Sequence, residues 1–522
     1  MDKLKRFFVN GLLLTFVAFA SRYVAVRFNI YLSNKIGTVA MGLFTLVSSV
    51  YGFALTLATA GIGLATTKLV SEALGLGTNN DFPTETAIKN ILKKSILFAL
   101  STSSLTALIL FASAHYIGLS LLNDERTVSS LQILAFSLIP IALCSSMNGY
   151  FTAIRRVYKN AIVLIVGQTT RIALCIFLLS AVTAKDMESA CVAIVCSTTL
   201  SEFLCFVLQA IMFYAERRKV ATRNSATPAA SSKDLSKKLM RITIPVALSA
   251  YMRSALVTIE HLLIPWGLEQ SGNTRDLSLS AYGTLHSVVF PLVLFPSAIS
   301  SSFAGLLVPE ISESFAADDT PRIERISSRV MKTVLIYAIG IAGILMCFST
   351  ELGHVLFPTS NAAKYILMIA PLIPIMYLDT SVDSILKGLG YQFYTMVINI
   401  VDALLSVILV WILLPRLGIS GYIITVYFTE IINATLSITK MLLVTKIKVK
   451  LFDWIVKPIG AIILSTFVMR CILGKLCIFA CSRSEIFLHM AICAVIYFLL
   501  LILFRSISPK KLNKLIQGFF RA

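Results

Sequence analysis

The sequence predicts an all-α integral membrane protein of about fourteen transmembrane helices, arranged as two six-helix lobes around a central cavity plus two C-terminal helices. Three observations predict it. Of the 522 residues 57% are hydrophobic and only 14% charged, whereas soluble domains carry roughly 45–50% apolar and about 25% charged residues. Too little polar surface remains to coat a water-soluble body. The apolar residues gather in continuous runs of spanning length rather than in the alternating stretches of a barrel. Lys and Arg concentrate in nearly every second connection, as the positive-inside rule requires.

In chain order the runs cover roughly 7–32, 40–67, 91–115, 128–153, 160–184, 189–215, 243–266, 279–308, 329–351, 363–387, 393–415, 420–444, 456–480 and 485–505. The first begins after Lys3, Lys5 and Arg6, and Ala18-Phe19-Ala20 resembles a signal-peptidase site. The run continues to Leu32, well past a signal-peptide core, so it reads as an uncleaved first helix. Clusters at Lys89/Lys93/Lys94, Arg155/Arg156/Lys159, 217–241, 322–332, 446–457 and 505–521 fall on one side. Lys35, Arg126, Lys185 and Arg275 fall singly on the other. This places both termini in the cytoplasm and the protein in the cell membrane as a multi-pass chain. The net charge of +20 is thereby explained by topology, and nucleic acid is not among the expected partners.

The organisation that follows is an N-terminal lobe over 1–215, a Ser-, Ala- and Lys-rich cytoplasmic linker over 216–240, a C-terminal lobe over 241–445, and residues 446–522 holding two further helices and an amphipathic tail. In that tail Leu512, Leu515, Ile516, Phe519 and Phe520 share a face, which suits anchoring at the inner interface. The lobes look alike. Met41-Gly42-Leu43 to Glu72 in the second helix parallels Tyr282-Gly283-Thr284 to Glu313 in the eighth, and a parallel repeat is a mark of two-lobed transporters. Gly61 and Gly63 in one, and Pro291 and Pro296 in the other, supply bending points or close-packing sites.

Ionisable residues deep in the runs carry the functional reading. A central Arg costs roughly 2.5–3.5 kcal/mol on insertion scales, so it faces a partner or a hydrated cavity. Arg22, Arg171 and Arg253 lie near the centres of the first, fifth and seventh runs. Gly11, Thr15, Ala18, Arg22, Ala25 and Asn29 recur at steps of three and four and form a small, polar helix face suited to a cavity. Arg27 lies about 140° around that helix from Arg22 and either lines the cavity or snorkels outward. A guanidinium keeps its charge when desolvated and matches phosphate oxygens as a fork, so Arg22 and Arg253 suit a diphosphate. The competing reading pairs the arginines with Glu202, Asp402 or Glu430; for Arg171 the partner would be Glu202. Lys68 lies near an inner helix end, snorkelling or lining a mouth. Glu260, Asp402, Glu202 and Arg171 are candidates for coupling or gating, with a transported cation as one coupling partner. His261, Asp379 and Asp383 are weaker ones.

No catalytic constellation appears. There is no phosphate-binding Gly-Lys-Ser/Thr loop, and the ten cysteines lack zinc-site spacing and sit mostly in apolar runs as small hydrophobes. Neither a metal nor a cofactor is expected.

Asn148-Gly149-Tyr150-Phe151-Thr152-Ala153 with Val166-Gly167-Gln168-Thr169-Thr170-Arg171 resembles the loop and fifth helix of the stage V sporulation protein B group of the multidrug/oligosaccharidyl-lipid/polysaccharide exporter superfamily. Ser280-Ala281-Tyr282-Gly283 and Leu307 to Glu313 resemble its eighth helix, and Leu386 to Gly390 and Leu414 to Gly421 its tenth-to-twelfth region. The resemblance runs in order along nearly the whole chain. It departs at Gly167, where an acidic residue is usual, and in the basic loop after Phe151. It implies a role like the lipid II flippases, carrying a polyprenyl-diphosphate-linked oligosaccharide or peptidoglycan precursor outward, with membrane lipids as surroundings and arginines at Arg22, Arg27 and Arg253. Two rivals stay open: a cation-coupled multidrug exporter of the same superfamily, and a non-transporting scaffold for cell-wall or spore cortex synthesis.

Overall fold

The computed structural model describes residues 2–76, 84–181, 187–221, 232–356, 361–447, 449–476, 483–504 and 506. Every regular element among them is helical, as continuous apolar runs dictate where lipid offers the backbone no hydrogen bonds. The elements are α1 (Asp2–Thr59), α2 (Ile62–Leu76), α3 (Thr84–Tyr116), α4 (Val128–Ala153), α5 (Val157–Ala181), α6 (Met187–Ala221) and α7 (Ser232–Gln270). After these come α8 (Arg275–Gly283), α9 (Phe290–Leu294), α10 (Ser297–Ala316), α11 (Thr320–Cys347), α12 (Ser349–Leu356), α13 (Ala362–Ile369) and α14 (Ile373–Gly388). The chain closes with α15 (Gln392–Leu417), α16 (Ile419–Thr445), α17 (Lys457–Leu476) and α18 (Arg483–Leu503).

Twelve helical segments among the described residues are long and apolar enough to cross a membrane, close to the fourteen expected. The first, Phe19–Leu74, holds 56 residues, about 84 Å of helix against the roughly 30 Å of one hydrocarbon crossing. It therefore contains two of the expected spans, and the non-helical Gly37 divides them. The expected seventh span, inside α7, is not among the twelve, and part of its stretch, Ile242 and Pro245 included, lies outside the residues whose side chains are described. Both ends of the expected linker 216–240 are helical, since α6 runs to Ala221 and α7 begins at Ser232. The amphipathic tail lies, apart from Ser506, outside the described residues.

The bending points fall where backbone chemistry puts them. The chain breaks between α1 and α2 at Ala60-Gly61, where Gly61 takes φ +78°. The expected eighth span is built from α8, a π-helical stretch at 284–289, α9 and α10, with the break at Phe295-Pro296. Gly63 instead serves close packing: a Cβ on Gly149 of α4 would meet the Gly63 carbonyl oxygen at 2.6 Å, and the Thr67 hydroxyl donates to the Gly149 carbonyl at 3.1 Å. Small residues let α2 and α4 touch backbone to backbone, the usual adhesive between helices in lipid.

By packing, the chain forms two compact units, residues 1–42 with 266–522 and residues 43–265. In the second unit α4 packs against α2, α3 and α6, and α5 against α6. Its core gathers Ala65, Leu69, Ile91, Leu92, Met147, Tyr150, Phe151 and Phe213, with the Ser146 hydroxyl donating to Ser95 at 2.8 Å. In the first unit α14 is central, packed against α10, α11 and α16, while α17 and α18 pair with each other and dock on α11. There α1 crosses α8 closely through Gly42 and Gly283, the very residues that head the two similar helices.

Candidate functional site

Arg22 does not stand free. In the first unit its Nη1 donates to the Leu294 carbonyl at 3.2 Å and to the Ser297 hydroxyl at 2.9 Å. Both acceptors lie at the α9–α10 break. Pro296 has no N–H to give a helical ladder, and the chain resumes through tighter bonds, Ala298 N to Phe295 O and Ile299 N to Pro296 O, each 3.2 Å. The carbonyls around the break are capped by side chains from other helices. The Tyr377 hydroxyl of α14 donates to Val293 O at 2.6 Å, and the Tyr337 hydroxyl of α11 to Pro296 O at 3.0 Å. Phe295 itself packs against Phe19 and Tyr23 of α1, with ring centroids 4.9 and 6.0 Å away.

The C-terminal end of a helix carries partial negative charge, so α9 ends where a guanidinium is welcome. Arg22 nevertheless stays exposed. Among the described residues its Nε and Nη2 make no hydrogen bond and no carboxylate pairs with it.

Asn29, two helical turns on, donates through Nδ2 to the Ser287 carbonyl at 3.1 Å, within the π-helical stretch of the broken span. The two polar residues expected on one face of α1 thus both address the same interrupted helix. The rest of that face, Gly11, Thr15 and Ala18, lies outside the residues whose side chains are described. Arg27 is exposed, and Asp402 on α15 is half-buried.

The second unit holds the other candidates. Arg253 on α7 and Lys68 on α2 are exposed, with no ion pair to a carboxylate among the described residues. Glu260 is half-buried. Arg171 and Glu202 come within electrostatic reach of each other, as the sequence anticipates, yet form no contact ion pair, and Arg171 Nε is buried without a partner. Arg22 belongs to the first unit and Arg253 to the second.

Sequence reasoning missed the Ser297 hydroxyl, the Leu294 carbonyl and the two tyrosines. Pro296 signalled a bend, but backbone acceptors at a break have no side-chain signature. It also missed the buried Glu216 of α6, which accepts from Arg156 Nη1 at 2.5 Å and Lys159 Nζ at 2.6 Å. Those bonds absorb part of the unusual basicity noted after Phe151.

The model of the polysaccharide biosynthesis protein family matches residues 7–315, and the MatE model matches residues 271–412. Stage V sporulation protein B of Bacillus subtilis (strain 168) is 23% identical over 507 residues, 97% of this chain and 95% of that protein. The lipid II flippase MurJ of the same organism is 23% identical over 423 residues, 76% of this chain and 75% of that protein. Among solved structures, lipid II flippase MurJ in an inward closed conformation superposes with TM-score 0.67 at 14% identity, covering 95% of this chain and 99% of that one. An inward-facing multidrug resistance MATE family transporter of the MOP superfamily gives 0.64 at 14% identity, covering 82% and 94%. At such identities the structures show the fold. With the family model covering more than half of the sequence, the chain belongs to the polysaccharide biosynthesis protein family, and its apolar helical segments make it a multi-pass membrane protein.

Proposed function

We propose that the protein moves a polyprenyl-diphosphate-linked saccharide, a peptidoglycan or polysaccharide precursor, from the inner to the outer leaflet by alternating access. The observation that carries this reading is the state of the two deep arginines. Arg22 and Arg253 are exposed and unneutralised by any described carboxylate, an arrangement expensive in hydrocarbon and suited to an acidic headgroup. Each would contact the diphosphate, with Arg27, Asn29 and Lys68 contributing along its path, while the polyprenyl tail stays in lipid. Both termini would face the cytoplasm, so an inside-negative potential assists outward movement of anionic charge by about 2.3 kcal/mol per charge per 100 mV. The relative named as a lipid II flippase supports the same substrate class.

The test is transport by reconstituted protein in liposomes carrying labelled polyprenyl-diphosphate saccharide, with complementation of a flippase-depleted strain alongside. Arg22→Ala and Arg253→Ala should abolish both at normal protein level; undiminished transport by either variant refutes its contact.

A second reading, a cation-coupled exporter, draws on the MatE match and on the unbridged Arg171 and Glu202. Glu202, Arg171, Glu260 and Asp402 would then carry or gate a coupling cation. Proton- or sodium-driven dye efflux lost in Glu260→Gln or Asp402→Asn favours this reading over the first.

A further inference from the structure

We propose that Ser297 is the positioning residue that turns Arg22 toward a phosphate group; this rests on the reading that Arg22 contacts an anionic substrate. A guanidinium has five N–H donors in a fixed plane. Both hydrogens of Nη1 are taken, by Leu294 O at 3.2 Å and Ser297 Oγ at 2.9 Å. What remains is the edge formed by Nε and Nη2, which makes no bond among the described residues. That edge is a two-pronged fork, the arrangement that grips two oxygens of one phosphate at once.

The fork's direction is set by the serine. A hydroxyl has one hydrogen to donate, and Ser297 spends it on Leu294 O at 2.7 Å. Its lone pairs are thereby left toward Nη1, and the two acceptors fix the guanidinium plane from one side. Ser297 is 7% exposed and cannot swing to water. The break that frees these acceptors is held by the Tyr377 and Tyr337 hydroxyls, and Phe19 and Tyr23 fix the register of α1 against Phe295. A serine that bonds back to the preceding turn is ordinary in helices. What is particular here is the cation placed on the same pair of acceptors, with its remaining fork unoccupied.

The experiment measures binding of undecaprenyl diphosphate to the full-length protein in nanodiscs, with undecaprenol as the uncharged control, beside the unliganded melting midpoint. Ser297→Ala should weaken diphosphate binding about tenfold, the cost of a misdirected charge-assisted fork, with the midpoint little changed. Ser297→Thr, which keeps the hydroxyl, should restore binding, and Arg22→Lys, which keeps charge without the fork, should bind as weakly as Ser297→Ala. If Arg22→Ala loses binding while Ser297→Ala and Arg22→Lys bind like wild type, the positioning role is wrong and the substrate contact stands. Wild-type binding by Arg22→Ala overturns both. A midpoint that falls together with binding in Ser297→Ala, unrescued by Ser297→Thr, shows a purely structural serine and also overturns the proposal.

Discussion

Replacing Gly283 with alanine should force α1 and α8 apart. An ideal Cβ at Gly283 would lie 2.5 Å from both Gly42 N and Thr38 O, all backbone and therefore unable to rotate away. Ordinary van der Waals contact begins near 3.4 Å, so the helices must separate by roughly 0.9 Å at the crossing, in an interior packed too densely to absorb it. The neighbouring bond between the Thr38 and Ser280 hydroxyls, 2.6 Å long, would stretch to roughly 3.5 Å, beyond useful O–H···O range. Overpacking costs about 1–3 kcal/mol, and the lost hydrogen bond adds about 0.5–1.5 kcal/mol. Purified Gly283→Ala protein should therefore melt clearly below wild type. A Thr38→Cys/Ser280→Cys pair, readily oxidised to a disulfide in the wild-type background, should cross-link poorly when Gly283→Ala is added. An unchanged midpoint with undiminished cross-linking would show that the crossing is not the tight backbone contact described.

Two further outcomes test other parts of the molecule. Glu216→Gln should destabilise the second unit by about 3 kcal/mol, because it strands Lys159, 12% exposed, whereas Arg156, 44% exposed, loses little to water; adding Lys159→Met should recover much of the melting midpoint, and failure to recover contradicts the buried pairing. Gly340→Val should push Tyr497, whose Cε1 would lie 2.5 Å from an added Cβ, off α11 and break its 2.8 Å bond to Ile336 O. Peptide mass spectrometry after N-ethylmaleimide treatment should then find more label on Cys493, which is fully buried on α18; equal labelling would place α18 elsewhere.

The sequence by itself determined the membrane class and the order of the helices, and it offered Gly61 and Pro296, with Gly63 and Pro291, as bending or packing points, of which Gly61 and Pro296 became breaks. These follow from hydropathy and from residues that cannot continue a helical ladder, both local properties. It also placed Arg22, Asn29 and Arg253 inside apolar runs, and it marked Gly42 and Gly283 as equivalent landmarks. Only the tertiary structure decided that these glycines meet each other, that residues 1–42 pack with 266–522, and that Arg22 rests on a carbonyl and a hydroxyl of a broken helix. Lipid makes every apolar helix face nearly equivalent, so hydropathy fixes insertion without choosing neighbours. The acceptors that hold Arg22 are a main-chain oxygen, which every residue carries, and one serine among many. Their availability arises from Pro296 and from the helices packed around it.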